Sequence, residues 1–288
     1  MPDTDGPGIE ELRAMPPLGR SFRRAAFGGL LSPVPVLRRQ PAPGPLPTLL
    51  VRQVTVDGGH LARYREVCGF PIGTGLPPTY PHVLAFPLAM ELMTRPGFPF
   101  PLPGLVHLSN HCTRMQPLRA DDPYDITVAV EGPRAHERGR AVDLVTRLAV
   151  GSVTVWQERS VYLRVGGRPT RSTREPAPTS EPPEPAAVWP VGADVGPAYA
   201  RVSGDRNPIH TSDLAARLFG FPRRIAHGMW TLARCLAALD PPATRLSTVD
   251  ATFKLPVLLP GTIVLTTDGP RFALHDPSGR PHLTATAT

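Results

Sequence analysis

Alternating apolar and polar positions mark several stretches of this chain as β-strands. The runs that begin at Asp125 and Ala141 are β-branched and broken by turn residues, as is the C-terminal run from Arg271. In the last run, an Asp-Pro-Ser-Gly sequence separates two strand-like segments and predicts a hairpin turn. These patterns predict mainly antiparallel strands.

Two segments are apolar on most faces at helical spacing. They are "YPHVLAFPLAMELM" from Tyr80 and "IAHGMWTLARCLAAL" from Ile225. A helix that is apolar all round must be buried, so each is expected to lie inside a curled sheet. Because proline is tolerated in the first turn of a helix, Pro87 predicts that the first helix begins near Ala85. The expected fold class is therefore α+β.

The two halves of the chain repeat the same order of features. "YREVCGF" from Tyr64 parallels "YARVSGD" from Tyr199, and each precedes a histidine, an apolar helix and strand-like runs. The second half carries ten additional residues between the glycine and the histidine, and Phe70 stands where the second half has Asp205. A duplicated unit with a single polar site is the resulting hypothesis.

A proline-rich segment separates these halves. Residues 166–190 combine proline with Ser, Thr and Glu and show no apolar periodicity, which is typical of a semi-extended linker. The sequence thus predicts a first unit over residues 1–165, with an N-terminal arm of about twenty residues, and a second unit over residues 191–288.

The amino-acid composition narrows the kinds of function that this chain can have. The net charge of +7 is carried almost wholly by arginines, which are scattered in pairs and not interleaved with aromatic residues, so nucleic-acid binding is not expected. A small anionic ligand fits this pattern better. No apolar run is long enough to span a bilayer, and the N-terminus lacks the features of an export signal, so we expect a cytoplasmic protein.

The candidate chemistry lies in "SGDRNPIHTSDLAARLFGFPRRIAHGMW", residues 203–230. A carboxylate and an imidazole on a tight Asn-Pro loop could hold one water molecule between Asp205 and His210. Alternatively, Asp205 could brace the turn and His210 could be a structural histidine. His227 is interpreted as structural, and His82 as a remnant of the repeat without a polar partner upstream. The spacing of His107 and His111 does not indicate a metal site.

This motif resembles the MaoC-like family of hot-dog-fold proteins, which contains (R)-specific enoyl-CoA hydratases and (R)-3-hydroxyacyl-thioester dehydratases. The matching residues are Ser203, Gly204, Asp205, Asn207, Pro208, His210, Gly220, Phe221, Ile225, Ala226, His227, Gly228 and Met229. "FKLPV" from Phe253 and the Pro260-Gly261 pair fit a later strand of the family.

The resemblance implies a double hot-dog fold, in which two antiparallel sheets each wrap a central helix. It implies that Asp205 and His210 are the catalytic pair, that Asn207 supports them, and that the Gly228 N–H binds the thioester oxygen at a helix N-terminus. Neither a metal nor a redox cofactor is implied. The substrate would be an acyl-CoA or an acyl-carrier-protein thioester, and both a monomer and a homodimer are compatible with the fold.

Departures from the family keep some alternatives open. Leu236 stands where some hydratases carry a serine, and Thr262 follows Pro260-Gly261 where the family often has aspartate. An acyl thioesterase and a non-catalytic acyl-binding protein are the rival functions. Arg223 and Arg224 could meet CoA phosphates or lie on a solvated loop.

Overall fold

The computed structural model describes residues 8–30, 44–166, 184–239 and 245–288. Within these ranges, eleven strands form one sheet. The strands are β1 Ile9–Glu11, β2 Thr48–Val54, β3 Leu105–Arg114, β4 Tyr124–His136, β5 Gly139–Val150, β6 Val153–Val165, β7 Pro185–Val191, β8 Thr248–Phe253, β9 Gly261–Asp268, β10 Arg271–His275 and β11 Pro281–Ala287.

The sheet order shows how the two halves join. It runs β1-β2-β4-β5-β6-β3-β8-β11-β10-β9-β7, and every pair is antiparallel except β1 with β2. Strands before residue 166 occupy one side, strands after it the other, and β3 pairs with β8 from Ser109↔Thr252 to Thr113↔Thr248. The two predicted sheets are therefore continuous edge to edge.

The hairpins follow the predicted turn chemistry. Gly151 closes β5 to β6 with φ 58°, a left-handed conformation that favours glycine. Between β10 and β11, the Asp276 carboxylate accepts hydrogen bonds from the N–H groups of Ser278 (2.9 Å) and Arg280 (3.0 Å). An aspartate side chain that accepts hydrogen bonds from backbone N–H groups a few residues further along the chain stabilises a turn. The hairpin prediction is therefore confirmed.

Six α-helices pack on the sheet or connect its strands within the described ranges. They are α1 Leu18–Leu30, α2 Gly58–Cys68, α3 Tyr80–Met93, α4 Val195–Ser203, α5 Asp213–Leu218 and α6 Gly228–Leu236. The two apolar segments form α3 and α6, and most of their residues are buried. This arrangement, one buried helix per half beside a large and almost wholly antiparallel sheet, confirms the α+β double hot-dog prediction.

The predicted start of α3 was wrong. The helix begins at Tyr80, five residues before the predicted start, with Pro81 in its first turn and Pro87 inside it. An interior proline removes one backbone hydrogen bond and costs about 3 kcal/mol. Leu88 and Leu92 are fully buried at 0% exposure, and burial of such side chains offsets this cost.

The repeated tyrosine segments form equivalent helices. Both α2 and α4 end at a left-handed glycine, Gly69 (φ 80°) and Gly204 (φ 77°). The buried rings of Tyr64 and Tyr199 lie 6.3 Å apart, centroid to centroid. The two halves therefore contact each other through equivalent residues.

The predicted linker boundary needs a correction. Strand β7 begins at Pro185 and pairs with β9, so the end of the 166–190 segment belongs to the sheet. Residues 167–183 lie outside the described residues. In the described part, no helix is long and apolar enough to cross a bilayer.

Candidate active site

The loop that carries Asp205 begins where α4 stops. Gly204 adopts φ 77°, and a Cβ there would lie 2.4 Å from Leu18 Cδ1, so glycine is favoured on both counts. Ser203 Oγ then accepts the Asp205 N–H at 3.1 Å. These contacts turn the chain sharply and fix the start of the loop.

Asn207 joins Asp205 to His210. Its N–H donates to Asp205 Oδ1 at 3.1 Å, and its side-chain oxygen accepts the Ile209 N–H at 3.4 Å, which caps a short 3-10 helix over Pro208–His210. Pro208 occupies the first position of that helix, where its missing N–H costs nothing. These bonds correspond to the supporting role that the resemblance implies for Asn207.

His210 is buried, and its orientation is set by the backbone. Its Nδ1 lies 2.8 Å from the Ile225 carbonyl, which can only accept, so Nδ1 carries the hydrogen and the neutral ring has its lone pair on Nε2. Burial lowers the pKa of His210, and the opposing charge of Asp205 offsets this only in part. A neutral imidazole with a free lone pair can accept a proton.

Gly196 makes room for this histidine. A Cβ on Gly196 would lie 2.0 Å from the His210 carbonyl oxygen, closer than any real contact allows. Because Gly196 lies in the first turn of α4, the absence of a side chain there lets the 3-10 helix pack directly on α4. This positioning residue was missed by sequence reasoning.

His227 braces the same loop from the other side. Its Nε2 donates to the Asp205 carbonyl at 3.0 Å and lies 3.9 Å from Asp205 Oδ2. Burial, and secondarily His210, lowers the pKa of His227 to about 3, so the ring is neutral. These contacts agree with the interpretation of His227 as structural.

Helix α6 begins immediately after His227, at Gly228. No side chain caps this helix. Its first backbone hydrogen bond runs from the Thr231 N–H to the His227 carbonyl at 3.1 Å. The N–H groups at the start of a helix have no intrahelical acceptor and carry partial positive charge. The Phe253 ring lies close by, 3.1 Å from the position a Cβ would occupy on Gly228.

The predicted polar residues converge. One oxygen of Asp205 and one ring nitrogen each of His210 and His227 all lie within 4.8 Å of one another. Such a spacing could hold a water molecule between two of the groups, or a cation among the three. The sequence predicts no metal here, and each histidine already directs one nitrogen to a backbone carbonyl.

The first half lacks the equivalent site. Phe70, the counterpart of Asp205, is buried, and Arg234 of α6 fills the space beside Gly69. Sequence reasoning nevertheless missed a partner for His82: Glu158 of β6, whose carboxylate oxygens lie 2.9 and 3.0 Å from His82 Nδ1. The available signal was an acidic residue in an apolar, strand-forming run.

The adjacent arginines differ in their contacts. Arg224 is paired with Asp213, its Nε 2.8 Å from Oδ1, and this contact holds α5 against the segment that precedes α6. Arg223 is exposed. Of the two, Arg223 is therefore the residue that remains open to an anionic ligand.

Comparison with known proteins identifies the family. Residues 173–269 match the family described as "MaoC like domain". Over 279 residues the chain is 39% identical to 3-hydroxyacyl-thioester dehydratase X of Mycobacterium tuberculosis, covering 93% of this chain and 96% of that protein. The chain belongs to the MaoC-like dehydratase family.

The fold agrees with a solved structure, and a second relative matches part of the chain. A crystal structure of HtdX from M. tuberculosis superimposes with a TM-score of 0.72 at 38% identity, covering 83% of this chain and 98% of that one. Peroxisomal enoyl-CoA hydratase 2 of Arabidopsis thaliana is 25% identical over 211 residues, 66% of this chain and 67% of that protein. The MaoC-like match over residues 173–269 contains Asp205, His210 and Gly228.

Proposed function

We propose that this chain catalyses the reversible hydration of trans-2-enoyl thioesters and, in the opposite direction, the dehydration of (R)-3-hydroxyacyl thioesters. The observation that carries the proposal is the convergence of Asp205 and His210 within 4.8 Å, beside the start of α6. The names of the relatives, a 3-hydroxyacyl-thioester dehydratase and an enoyl-CoA hydratase, support the same reaction class, that of a hydro-lyase.

In the proposed mechanism, Asp205 and His210 hold the attacking water. A water that bridges two acceptors spans about 5 Å, because each hydrogen bond is about 2.8 Å long and the two meet at an angle. The neutral His210 ring offers its Nε2 lone pair, and the Asp205 carboxylate offers Oδ2. As the water oxygen bonds to C3 of the enoyl group, the pair takes one proton from the water and then delivers one proton to C2, which completes the addition and restores the pair.

The electrons displaced from the double bond reach the thioester oxygen. The Gly228 N–H, at the positive end of α6, is the proposed donor to this oxygen. Preorganised donors of this kind stabilise the enolate without reorganisation during the reaction. Asn207 and His227 support the site by holding the Asp205 loop in place.

The carrier and the location remain predictions. Either an acyl-CoA or an acyl-carrier-protein thioester would present the same enoyl group to the pair. The predicted cytoplasmic location and the division into two units at the proline-rich segment also remain proposals, and both a monomer and a homodimer stay compatible with the fold.

Hydration of crotonyl-CoA and decenoyl-CoA tests the proposal. Loss of the enoyl absorbance should follow enzyme addition, and Asp205→Asn and His210→Ala should each reduce kcat/KM by on the order of 10²–10⁴-fold. A matched control is available in the exposed pair His111 and Asp250, whose Nδ1 and Oδ2 lie 3.0 Å apart. Asp250→Asn and His111→Ala should leave kcat/KM unchanged.

The same assay separates the rival functions. Release of free thiol without formation of a hydration product would indicate a thioesterase, and an unchanged absorbance would indicate a non-catalytic acyl-binding protein. Full activity in Asp205→Asn would contradict the proposed role of the pair even if hydration occurs.

We further propose that the first half forms part of the wall of the acyl pocket. Because it lacks the ten additional residues of the second half, it should leave space for a longer or bulkier chain. The decenoyl thioester should then have the higher kcat/KM. A preference for crotonyl-CoA would contradict this idea.

A further inference from the structure

Helix α5 directs its large apolar side chains away from the protein. Leu214 and Leu218 are four positions apart, which places them on one side of the helix, and they are 70% and 81% exposed. The side chain that packs inwards is instead that of Ala216, which is fully buried. A surface helix normally buries its large apolar residues and exposes its polar ones. The outward side of α5 therefore has the composition of a surface that another molecule covers.

Exposed apolar residues are concentrated at this point of the surface. Phe219, which directly follows α5, is 47% exposed, so three large apolar side chains are exposed within positions 214–219. No other part of the described ranges exposes two such side chains within six positions. Single exposed apolar residues are common on protein surfaces, whereas a cluster of them marks an interaction site.

Arginines surround the three apolar side chains. Arg217 lies within α5, Arg223 follows it, and both are exposed. Residues 206–224 carry four arginines and one acid, Asp213, whose carboxylate is already bonded to Arg224. This surface is therefore both apolar and positively charged. We call it the α5 patch, and it consists of Leu214, Arg217, Leu218, Phe219 and Arg223.

The α5 patch belongs to the segment that joins the two elements of the proposed active site. His210 precedes α5 by three positions, and the Ile225 carbonyl at the far end of the segment lies 2.8 Å from His210 Nδ1. The Arg224 N–H donates to Asp213 Oδ1 at 3.0 Å, which ties the end of the segment to the start of α5. A partner on the patch would therefore lie beside the residues that hold the attacking water.

We propose that the α5 patch is the docking surface for an acyl-carrier protein, a partner with an acidic surface around exposed apolar side chains. The proposal rests on the function proposed above and names the carrier of the thioester. Acidic residues of the carrier would meet the two arginines, and its apolar residues would cover the two leucines and Phe219. Charge complementarity around an apolar centre is the usual arrangement of a specific protein interface.

Other occupants fit the α5 patch less well. A second copy of this chain on a two-fold axis would place the patch against itself and bring arginine against arginine. Coenzyme A offers phosphates to the arginines, but its single adenine ring covers less apolar surface than three side chains present. An anionic lipid surface matches the charge, but it does not account for the position of the patch beside His210.

Hydration of one acyl group on two carriers tests the docking surface. Leu218→Ser and Arg223→Glu should each lower kcat/KM for a decenoyl thioester of an acyl-carrier protein by on the order of tenfold, mainly through KM. Both variants should hydrate decenoyl-CoA like the wild type, which also shows that they fold. Val153→Ser and Arg271→Glu, at exposed positions of β6 and β10, are the matched controls and should leave kcat/KM unchanged on both carriers.

Three results would overturn the docking surface. Equal losses on both carriers would show that the patch holds the loop or binds a part that both thioesters share, including the phosphates of coenzyme A. Binding of the wild type, but not of Leu218→Ser, to vesicles of anionic phospholipid would assign the patch to a lipid surface. A dimer that dissociates in both variants would assign it to a second copy of the chain.

A binding measurement decides the question without catalysis. Isothermal titration with an acyl-carrier protein that bears its phosphopantetheine group should show binding to the wild type and to both control variants. Binding to Arg223→Glu should be weaker by on the order of tenfold, and exchange of one surface acid of the carrier for lysine should restore it. No binding by the wild type would overturn the docking surface. If the wild type binds the carrier but hydrates neither thioester, the docking surface is supported and the proposed function is wrong.

Discussion

The imidazole rings of His210 and His227 are stacked, with centroids 3.6 Å apart and planes 25° from parallel. Two imidazolium rings at this distance would repel each other in a poorly solvated site. Burial lowers the pKa of both, so the pair is neutral at pH 7. The contact joins the proposed base to the residue that braces the Asp205 loop.

Because of this stack, we expect His227 to act indirectly, by holding the Asp205 loop and the His210 ring in place. His227→Leu removes the hydrogen bond to the Asp205 carbonyl and one face of the stack, and we expect kcat/KM to fall by on the order of 10-fold to 100-fold. The loss of one buried hydrogen bond should also reduce the free energy of unfolding by about 1–3 kcal/mol. Steady-state kinetics of the variant measure the change in kcat/KM, and thermal unfolding of the same variant measures the change in stability. Unchanged values would show that His227 does not hold the loop.

Acid should destabilise the fold through its buried neutral histidines. The pKa values of His107 and His227 are about 3 in the folded state, below the ordinary 6.5, so between these pH values the unfolded chain binds more protons. Each histidine should therefore lower the free energy of unfolding by about 1.4 kcal/mol per pH unit as the pH falls from 6.5 towards 3. His82, whose pKa is raised, acts in the opposite direction and adds stability below pH 6.5.

Denaturant unfolding at a series of pH values measures this effect. His107→Phe should flatten the dependence between pH 6 and 4 relative to the wild type, because one depressed histidine is removed. His111→Phe, at an exposed position, is the control. Equal slopes in the wild type and His107→Phe would contradict the prediction.

Gly196 should be required for the position of His210. In Gly196→Ala the new Cβ would lie 2.0 Å from the His210 carbonyl oxygen, so the 3-10 helix must move. A displacement near 1 Å can cost on the order of 10²-fold in rate. Gly58→Ala, at the start of the equivalent helix α2 and with no atom within 4 Å of the added Cβ, is the matched control. Similar kcat/KM values for the two variants would argue against a positioning role.

Even a methyl group at position 228 should reduce activity. In Gly228→Ala the Cβ meets the Phe253 ring at 3.1 Å and occupies space beside the proposed oxyanion donor. We expect kcat to fall by on the order of tenfold or more, with partial recovery when Phe253→Leu is added. Gly19→Ala, near the start of α1 where the added Cβ meets nothing within 4 Å, should have no effect. No loss in Gly228→Ala would place the donor elsewhere.

Much of the fold was predictable from local patterns. The Asp-Pro-Ser-Gly turn, the two apolar helices and the repeated tyrosine segments follow from turn chemistry and periodicity, which depend on neighbours in sequence. The start of α3 did not follow, because Pro87 opposes a helix locally and only the buried packing of Leu88 and Leu92 outweighs it. Strand β7 was missed for a similar reason, since its partner β9 is more than seventy residues away.

The sequence by itself determined the residues of the candidate site that lie on one loop and one helix start: Asp205, Asn207, His210 and Gly228. Asp205, Asn207 and His210 are at most five positions apart and therefore share one loop, whereas Gly228 was identified by the resemblance to the family motif. Only the tertiary structure decided which atoms of these groups meet, that His227 braces the loop, and that Gly196 admits His210. It alone brought Glu158 to His82, because that pairing joins residues 76 positions apart and depends on how β6 packs against α3.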